Sequence, residues 1–342
     1  MVRLTTIKDV ARRAGVSPTT VSATFNGSAP VSEALKARVR AVAEELNYRP
    51  DPLARTLRRG TTTTIGFVVP DVAIPWASHL ARAVQRALAE RGYTMLLASN
   101  EDDPNRELQD IAVMTDNRVA GLIVAPTSHG IDYAERLTLA VRCPAVLVDR
   151  VVAPDHFDAV VDDNALGGLL IANYLHRLGH RRIGFLVGRS GISSSDERHI
   201  GLRDALAHLR IPLDPQHVRH GIHTVEGAYC AVQDIMSNRQ RPTALVCLSN
   251  PSVRGAMAGL LNMGLRVPEE VSLASFDGYN PPEGWSPQIT CLQQDAVTIG
   301  EHAVELLLGR IAREEPSHSE TIRVKPRLFI GTSCRNVRNS SL

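Results

Sequence analysis

Eight polar or aromatic residues lie at or shortly after the ends of short apolar runs, and their side chains have the chemistry to bind a small hydroxylated molecule. They are Asp71, Trp76, Asn100, Asp149, Arg198, Ser249, Asp277 and Trp285. The carboxylates can accept hydrogen bonds from vicinal hydroxyls, and the guanidinium of Arg198 can donate in a fork. An indole can stack on the apolar face of a ring. This combination suits a sugar or a related polyol.

These residues need a scaffold that brings strand ends together. Residues 63–342, which we call the body, have a sequence pattern that predicts such a scaffold. Short apolar runs alternate with helical stretches between Ile65 and Val148, and the alternation repeats between Ile183 and Ser275. Continuous apolar strands separated by helices indicate parallel sheets buried on both faces. The sequence therefore predicts an α/β body of two doubly wound parallel-sheet subdomains. A ligand of such sheets is expected in the cleft at the carboxyl ends of the strands.

The first 60 residues carry most of the net positive charge of the chain. They contain eleven basic and five acidic residues, a formal charge of +6, whereas the remainder sums to −4 and the whole chain to +2. Capping residues mark three short helices, which begin at Thr6, at Ser17-Pro18 and at Ser32, and the first ends at Gly15. The first two form a helix-turn-helix, whose second helix enters the major groove of DNA. A three-helix bundle without a DNA role is the alternative, but it does not need the basic excess.

The run from Thr5 to Leu57 resembles the LacI/GalR family of bacterial transcription repressors. It includes Thr-Ile-Lys-Asp-Val-Ala-Arg-Arg-Ala-Gly-Val-Ser-Pro-Thr-Thr-Val-Ser and Glu-Leu-Asn-Tyr-Arg-Pro, and the similarity continues to about residue 334. The resemblance implies base contacts by Pro18, Thr19 and Ala23, and phosphate contacts by Thr20, Ser22 and Asn26. Ala23 replaces the long polar residue common in the family. We therefore expect a weaker or shifted base preference at that step.

The resemblance also gives the segment at 51–62 a role beyond that of a basic linker, which is the alternative reading. It implies a hinge that becomes helical on operator DNA, with Leu57 wedged between base pairs in the minor groove and Arg58 along that groove. A helix this short needs DNA and a second hinge to stabilise it. The complete predicted DNA-binding set is Thr6, Ser17, Pro18, Thr19, Thr20, Ser22, Ala23, Asn26, Ala54, Leu57 and Arg58. The predicted helix-turn-helix domain is residues 1–50.

For the body, the resemblance implies a fold like that of periplasmic sugar-binding proteins. The chain then crosses back, giving an N-subdomain of about 63–162 plus 292–325 and a C-subdomain of about 163–291 plus 326–342. The family's effector-contact positions match Trp76, Asp149, Arg198, Ser249 and Asp277. Ser249 replaces the usual Asn and reaches less far. Because purine-binding relatives use the same cleft, a purine, another non-sugar effector or no effector stays an alternative to a sugar or sugar derivative.

Enzyme and membrane signatures are absent from the sequence. There is no Gly-rich phosphate loop and no His-Glu-x-x-His, and Ser193-Ser194-Ser195 is interpreted as a polar loop. The histidines lack metal spacing and are interpreted as solvated loop residues. Five scattered cysteines suit reduced thiols in a cytoplasm, and no signal peptide or membrane span is expected. We expect no catalytic residues, no metal, no cofactor and no membrane partner.

Together these features predict a ligand-responsive transcription regulator, most simply a repressor. A stand-alone sugar-binding module is a distant alternative, and it lacks a reason for the basic segment. We expect a homodimer that reads a pseudo-palindromic operator on double-stranded DNA. The effector would change the relative angle of the subdomains, and whether it induces or corepresses stays open. No heptad run follows the last predicted strand, which favours a dimer over a tetramer.

Overall fold

The computed structural model describes residues 5–27, 29–48, 62–278, 286–312 and 318–338. The chain divides into two compact units, residues 1–62, called the head, and residues 63–342, the body. Within the described residues, no helix combines the length and the apolar character that crossing a membrane requires.

The head consists of three helices whose ends follow the local sequence. They are α1 (Ile7–Ala14), α2 (Pro18–Asn26) and α3 (Glu33–Glu45). The backbone N–H of Thr6 donates to the Asp9 carboxylate over 3.0 Å, and its hydroxyl donates to the same oxygen over 2.7 Å. Gly15 ends α1 with a φ of 65°, a left-handed conformation that favours glycine. Ser17 then caps α2 by accepting from the N–H of Thr20 over 3.1 Å.

One apolar cluster holds the three helices of the head together. Val10 of α1, Val21 of α2 and Val39 of α3 are all fully buried within it. Each helix contributes one narrow apolar face, so the remaining faces are free to carry polar residues. The predicted helix-turn-helix and the third helix are confirmed.

The body contains two six-stranded sheets. The first has the order β11-β5-β4-β3-β1-β2, and every pair of neighbours in it is parallel. Its strands are β1 (Thr64–Val69), β2 (Thr94–Ser99), β3 (Gly121–Val124), β4 (Ala145–Val148), β5 (Asp158–Asp162) and β11 (Thr321–Val324). Its helices are α4 (Pro75–Glu90), α5 (Pro104–Asp116), α6 (Ile131–Ala140) and α11 (Ala296–Ile311). Strands β1, β3 and β4 are almost wholly buried because helices cover both faces.

The second sheet has the order β12-β10-β9-β8-β6-β7. Its strands are β6 (Ile183–Leu186), β7 (Val218–Arg219), β8 (Ala244–Cys247), β9 (Ser272–Ser275), β10 (Thr290–Gln293) and β12 (Arg327–Phe329). Its helices are α7 (Asn164–Arg177), α8 (Ser193–His208), α9 (Val225–Met236) and α10 (Asn250–Asn262). The predicted pair of doubly wound parallel sheets is confirmed, except that the edge strand β12 runs antiparallel to β10.

The chain passes between the two sheets three times, after β5, after β10 and between β11 and β12. The sequence pattern did not predict β5, because its Asp-Ala-Val-Val-Asp run begins and ends on a charged residue. Both carboxylates are nevertheless buried and paired. Asp158 accepts two hydrogen bonds from Arg310, and Asp162 accepts one from Gln294.

Candidate functional site

A cavity of about 160 Å³ lies between the carboxyl ends of the two sheets. Six of the eight residues predicted to bind a ligand line it, namely Asp71, Trp76, Asp149, Arg198, Ser249 and Asp277. Asn100 is buried but does not line the cavity, and Trp285 lies outside the described residues. We call this cavity the cleft.

Arg198 forms the centre of the hydrogen-bond network in the cleft. Its Nε donates to Oδ1 of Asn164, and its Nη1 donates to the carbonyl of Leu248 and to Oδ1 of Asp277, each over 2.9 Å. The guanidinium also lies 5.6 Å from the centre of the Phe276 ring, within cation–π range. Because the side chain is buried and held by three acceptors, its position is fixed before any ligand binds.

The close packing of α7 against α8 brings Asn164 to Arg198. A Cβ on Gly168 would lie 2.4 Å from the backbone nitrogen of Leu202, and one on Gly201 would lie 2.7 Å from Cα of Ala165. Only glycine therefore allows the two helix backbones to approach this closely.

Asp277 connects Arg198 to the first turn of α10. Its Oδ1 accepts from Arg198, and its Oδ2 accepts from the backbone N–H of Asn250 over 3.0 Å. The N-terminal end of a helix favours a negative charge, so the carboxylate lies between two favourable partners, the start of α10 and the guanidinium. Ser249 lies at the same end of α10, and its hydroxyl caps the helix by accepting from the N–H of Ser252.

Asp149 reaches the cleft through an unusual backbone conformation. Its φ is 66°, and the N–H of Arg150 donates to the carbonyl of Val148 over 2.7 Å, so Asp149 is the central residue of a γ-turn directly after β4. Burial raises the pKa of its carboxyl, an effect that Arg150 and Arg198 partly offset and the charge of Asp277 reinforces. Such strain is concentrated at functional sites.

Asp162 lies behind the cleft, at the first crossing between the sheets. Burial raises the pKa of its carboxyl to about 7, although Arg198 and the hydrogen bond from Gln294 act in the opposite direction. Its Oδ1 is buried and has no hydrogen-bond partner within the described part of the chain. The Gln294 side chain, which lines the cleft, follows β10 at the start of the second crossing.

Asp102 lines the cleft, although the sequence pointed instead to Asn100. The side-chain oxygen of Asn100 accepts from the N–H of Asp102 over 3.1 Å, so Asn100 holds the loop that presents the carboxylate. Asp102 accepts from Nη1 of Arg150 over 3.3 Å and also pairs with Arg189, which follows β6 of the other sheet. The Asp102–Arg189 ion pair thus joins the two halves of the body across the cleft.

The interpretation of Ser193-Ser194-Ser195 as a polar loop is wrong. The three serines form the first turn of α8, and Ser194 and Ser195 line the cleft. The Ser195 hydroxyl is buried and has no hydrogen-bond partner among residues that the structure describes. A Cβ on Gly188 would lie 2.8 Å from that hydroxyl, so this residue must be small.

The interpretation of the histidines as solvated loop residues also needs correction. His217 and His180 are buried, and His223 lines the cleft. No group of three or more His, Cys, Asp or Glu residues able to hold a metal ion occurs in the described ranges.

Trp76 belongs to the other wall of the cleft. It lies in the first turn of α4 and packs against the core of the first sheet. Its indole N–H is buried and finds no acceptor in the described segments of the chain. Asp71 lies nearby, and its carboxylate accepts only from the backbone N–H of Ala73 among the bonds found, over 2.8 Å.

In the head, the first turn of α2 is the accessible part of that helix. Pro18 and Thr19 are exposed and Thr20 is half-buried, whereas Ser22 is buried and Ala23 is only 4% exposed. Thr6 and Ser17 lie at the N-terminal ends of α1 and α2, where backbone N–H groups can receive a phosphate. The side chain of Asn26 and the whole of Ala54, Leu57 and Arg58 lie outside the described residues.

Comparison with known proteins places both units in recognised classes. Residues 6–51 match the bacterial regulatory proteins of the lacI family, and residues 172–334 match a periplasmic binding protein-like domain. The HTH-type transcriptional repressor PurR of Yersinia pestis (strain Pestoides F) is 33% identical over 328 residues, which cover 95% of each chain.

Solved structures share the fold. The lac repressor dimer bound to operator and the anti-inducer ONPF matches with a TM-score of 0.87, covering 97% of this chain and 100% of that chain at 23% identity. The complex of the transcriptional regulator CelR with cellobiose matches with a TM-score of 0.72, covering 96% of this chain and 99% of that chain at 26% identity.

Proposed function

The chain belongs to the LacI family of DNA-binding transcription repressors, and we propose that a sugar bound in the cleft controls its affinity for operator DNA. The observation that carries this proposal is the convergence of six predicted residues on one cavity, among them Asp149, Asp277 and Arg198. Carboxylates accept from sugar hydroxyls, and Trp76 offers an apolar ring surface beside them. The relative crystallised with cellobiose supports a sugar.

The size of the cleft bears on the size of the sugar. An apolar cavity of about 150 Å³ holds one benzene molecule. The cleft measures about 160 Å³ and shares Trp76, Asp277 and Gln294 with an adjoining cavity of about 540 Å³. For the cleft itself we therefore propose a monosaccharide or a derivative of similar size. A purine base is the second candidate, because the 33% identical relative is named a PurR repressor.

We further propose that the regulator acts as a homodimer on a pseudo-palindromic operator. The edge strand β2 supports this assembly, because its apolar residues Leu96 and Leu97 are 43% and 39% exposed. An exposed apolar sheet edge is normally covered by another element or another chain. Pro18 and Thr19, exposed at the start of α2, are the proposed base-reading residues of the described head.

A thermal-shift panel on the full chain tests the effector. Monosaccharides, disaccharides and purine bases are compared, since a ligand at 100 times its Kd stabilises the folded state by about 2.7 kcal/mol. We expect a monosaccharide to raise the Tm and to change affinity for operator DNA selected from a random library. Stabilisation by a purine base alone would favour the second candidate, and a panel without any stabilising compound would refute both.

A pair of matched variants assigns the binding to the cleft. Asp149→Asn keeps the shape of the side chain and removes its charge, and it should weaken binding of the identified sugar at least tenfold. Asp234→Asn makes the same change at an exposed carboxylate on the outer surface, where it pairs with Arg219. Equal affinity in both variants would contradict the assignment.

A further inference from the structure

Every arginine found along the cleft is already committed to a protein carboxylate. Arg198 pairs with Asp277 over 2.9 Å, and Arg150 pairs with Asp149 over 3.2 Å and with Asp102 over 3.3 Å. Arg189 pairs with Asp102 as well. The described wall of the cleft therefore offers an incoming anion no arginine without a carboxylate partner.

The charge of the cleft is also unfavourable for an anion. Its described lining contains four carboxylates, Asp71, Asp102, Asp149 and Asp277, against three arginines, so the formal charge is −1. Burial raises the pKa of Asp149, and the neighbouring charge of Asp277 adds to this rise, so a further anion would lie beside two carboxylates that already repel each other. A phosphate ester would add up to two negative charges beside these carboxylates.

Asp102 is the residue that holds two of the three arginines. Its carboxylate lies between Arg150 on its own half of the body and Arg189 on the other half. The side-chain oxygen of Asn100 and the carbonyl of Pro70 both accept from the Asp102 N–H, over 3.1 Å each, and fix the loop. The Asp102 carboxylate therefore forms the ion pairs with these arginines that a ligand phosphate would otherwise form.

The remaining polar groups suit a ligand that donates hydrogen bonds. Asp71 and Asp149 have lone pairs beyond those used by their recorded partners, and the Ser195 hydroxyl is buried without a recorded partner. Ring hydroxyls or ring N–H groups can donate to these carboxylates, whereas phosphate oxygens only accept. An ester would find donors only in groups such as the Ser195 hydroxyl and the Trp76 indole N–H, and neither of these carries a charge.

Building on the proposed function, we infer that the cleft selects an uncharged ring compound rich in hydroxyl or N–H donors and rejects its phosphate ester. Asp102 is the specificity-determining residue, because it keeps Arg189 from binding an anion and shares Arg150 with Asp149. A monosaccharide and a purine base share this chemistry, and a sugar phosphate and a purine nucleotide are excluded on the same ground.

The test measures binding of ribose 5-phosphate and glucose 6-phosphate by calorimetry at constant ionic strength. The full chain is compared with Asp102→Asn, which removes one negative charge from the cleft. This change releases Arg189 and leaves Arg150 with Asp149 as its remaining carboxylate partner. Two controls remove the same charge. Asp71→Asn lies in the cleft but releases no arginine, and Asp234→Asn releases Arg219 on the outer surface. Anion binding to the basic head is common to all four proteins and cancels in the comparison.

We expect no saturable binding of either ester to the unmodified chain below 10 mM, on the order of the weakest specific affinities, and at least a tenfold gain in Asp102→Asn alone. Equal gains in Asp71→Asn or Asp234→Asn would overturn the role of Asp102. Submillimolar binding of an ester to the unmodified chain, with that binding lost in Arg189→Gln, would by itself overturn the inference. This result does not depend on whether the Asp102→Asn variant folds. If no sugar or purine base in the thermal-shift panel stabilises the chain, the proposed function is refuted instead. The two failures are therefore distinguishable.

Discussion

Replacing Arg198 with methionine should destabilise the body and should do so through charge. Methionine keeps much of the aliphatic length of the side chain but loses the cation–π contact of the guanidinium with Phe276. The change removes hydrogen bonds to Asn164, Leu248 and Asp277, each 2.9 Å long. It leaves the half-buried Asp277 carboxylate with one remaining bond, from the N–H of Asn250.

Removing one partner of a buried ion pair lowers the free energy of unfolding by about 3–5 kcal/mol. Because Asp277 retains its bond from Asn250, we expect a loss near the lower limit. The loss should also depend on pH. Arg198 lowers the pKa values of Asp149 and Asp162, so its removal raises them further above their unfolded values. A carboxyl whose folded pKa is raised loses stability as the pH increases towards that pKa. The deficit of Arg198→Met should therefore be larger at pH 8 than at pH 5.

Urea unfolding followed by circular dichroism measures these free energies. The double variant Arg198→Met/Asp277→Asn removes the uncompensated charge and should recover at least about 1 kcal/mol, within the usual coupling between contacting residues. The reasoning is refuted if Arg198→Met costs less than about 1 kcal/mol, far below the range for a broken buried pair. It is also refuted if Asp277→Asn adds its own full cost instead of recovering stability.

Three further outcomes follow from the structure. Asp162, whose pKa burial raises to about 7, holds a proton in the folded chain that the unfolded chain releases near pH 4; Asp162→Asn should therefore have a higher urea midpoint than the parent at pH 8 and nearly the same midpoint at pH 4. Val21 is fully buried in the head, so Val21→Ala should cost about 2 kcal/mol from two lost methyl groups and the cavity they leave; faster amide hydrogen exchange confined to the head would show this, and unchanged exchange there would contradict it. Thr19→Ala should reduce discrimination at one position of each operator half-site by about 1–3 kcal/mol in a binding assay with substituted operators, whereas equal weakening on every sequence would show a phosphate contact instead.

The parts of the molecule that the sequence predicted are those with local causes. Ser17, Pro18 and Gly15 fix helix ends within a few residues of themselves, so the helix-turn-helix could be read directly. The cleft residues Asp149 and Asp277 follow buried apolar strands, and strand ends meet at one edge of a parallel sheet. The position of each strand end in the sequence was therefore sufficient to predict that the residues after these strands lie close together.

Residues placed by loop conformation could not be predicted in the same way. Asp102 lies three residues beyond β2, and it reaches the cleft because Glu101 and Asp102 adopt φ values of 56° and 62°. Nothing in the local run of acidic residues specifies that conformation. Similarly, Ser195 lines the cleft because α8 begins at Ser193 after Ile192, which provides no side-chain cap to signal the helix start.

The concentration of charge in the cleft makes functional sense only if a ligand completes it. Buried ion pairs rarely add net stability compared with apolar packing, so Arg198 and Asp277 are poorly explained as structural elements alone. The Asp102–Arg189 pair across the cleft fixes one spacing of the two halves of the body. A ligand that donates to the underused acceptors favours that spacing over others by its differential affinity. If operator binding also favours one spacing, ligand and operator must change each other's affinity by the same factor, whichever sign that coupling takes.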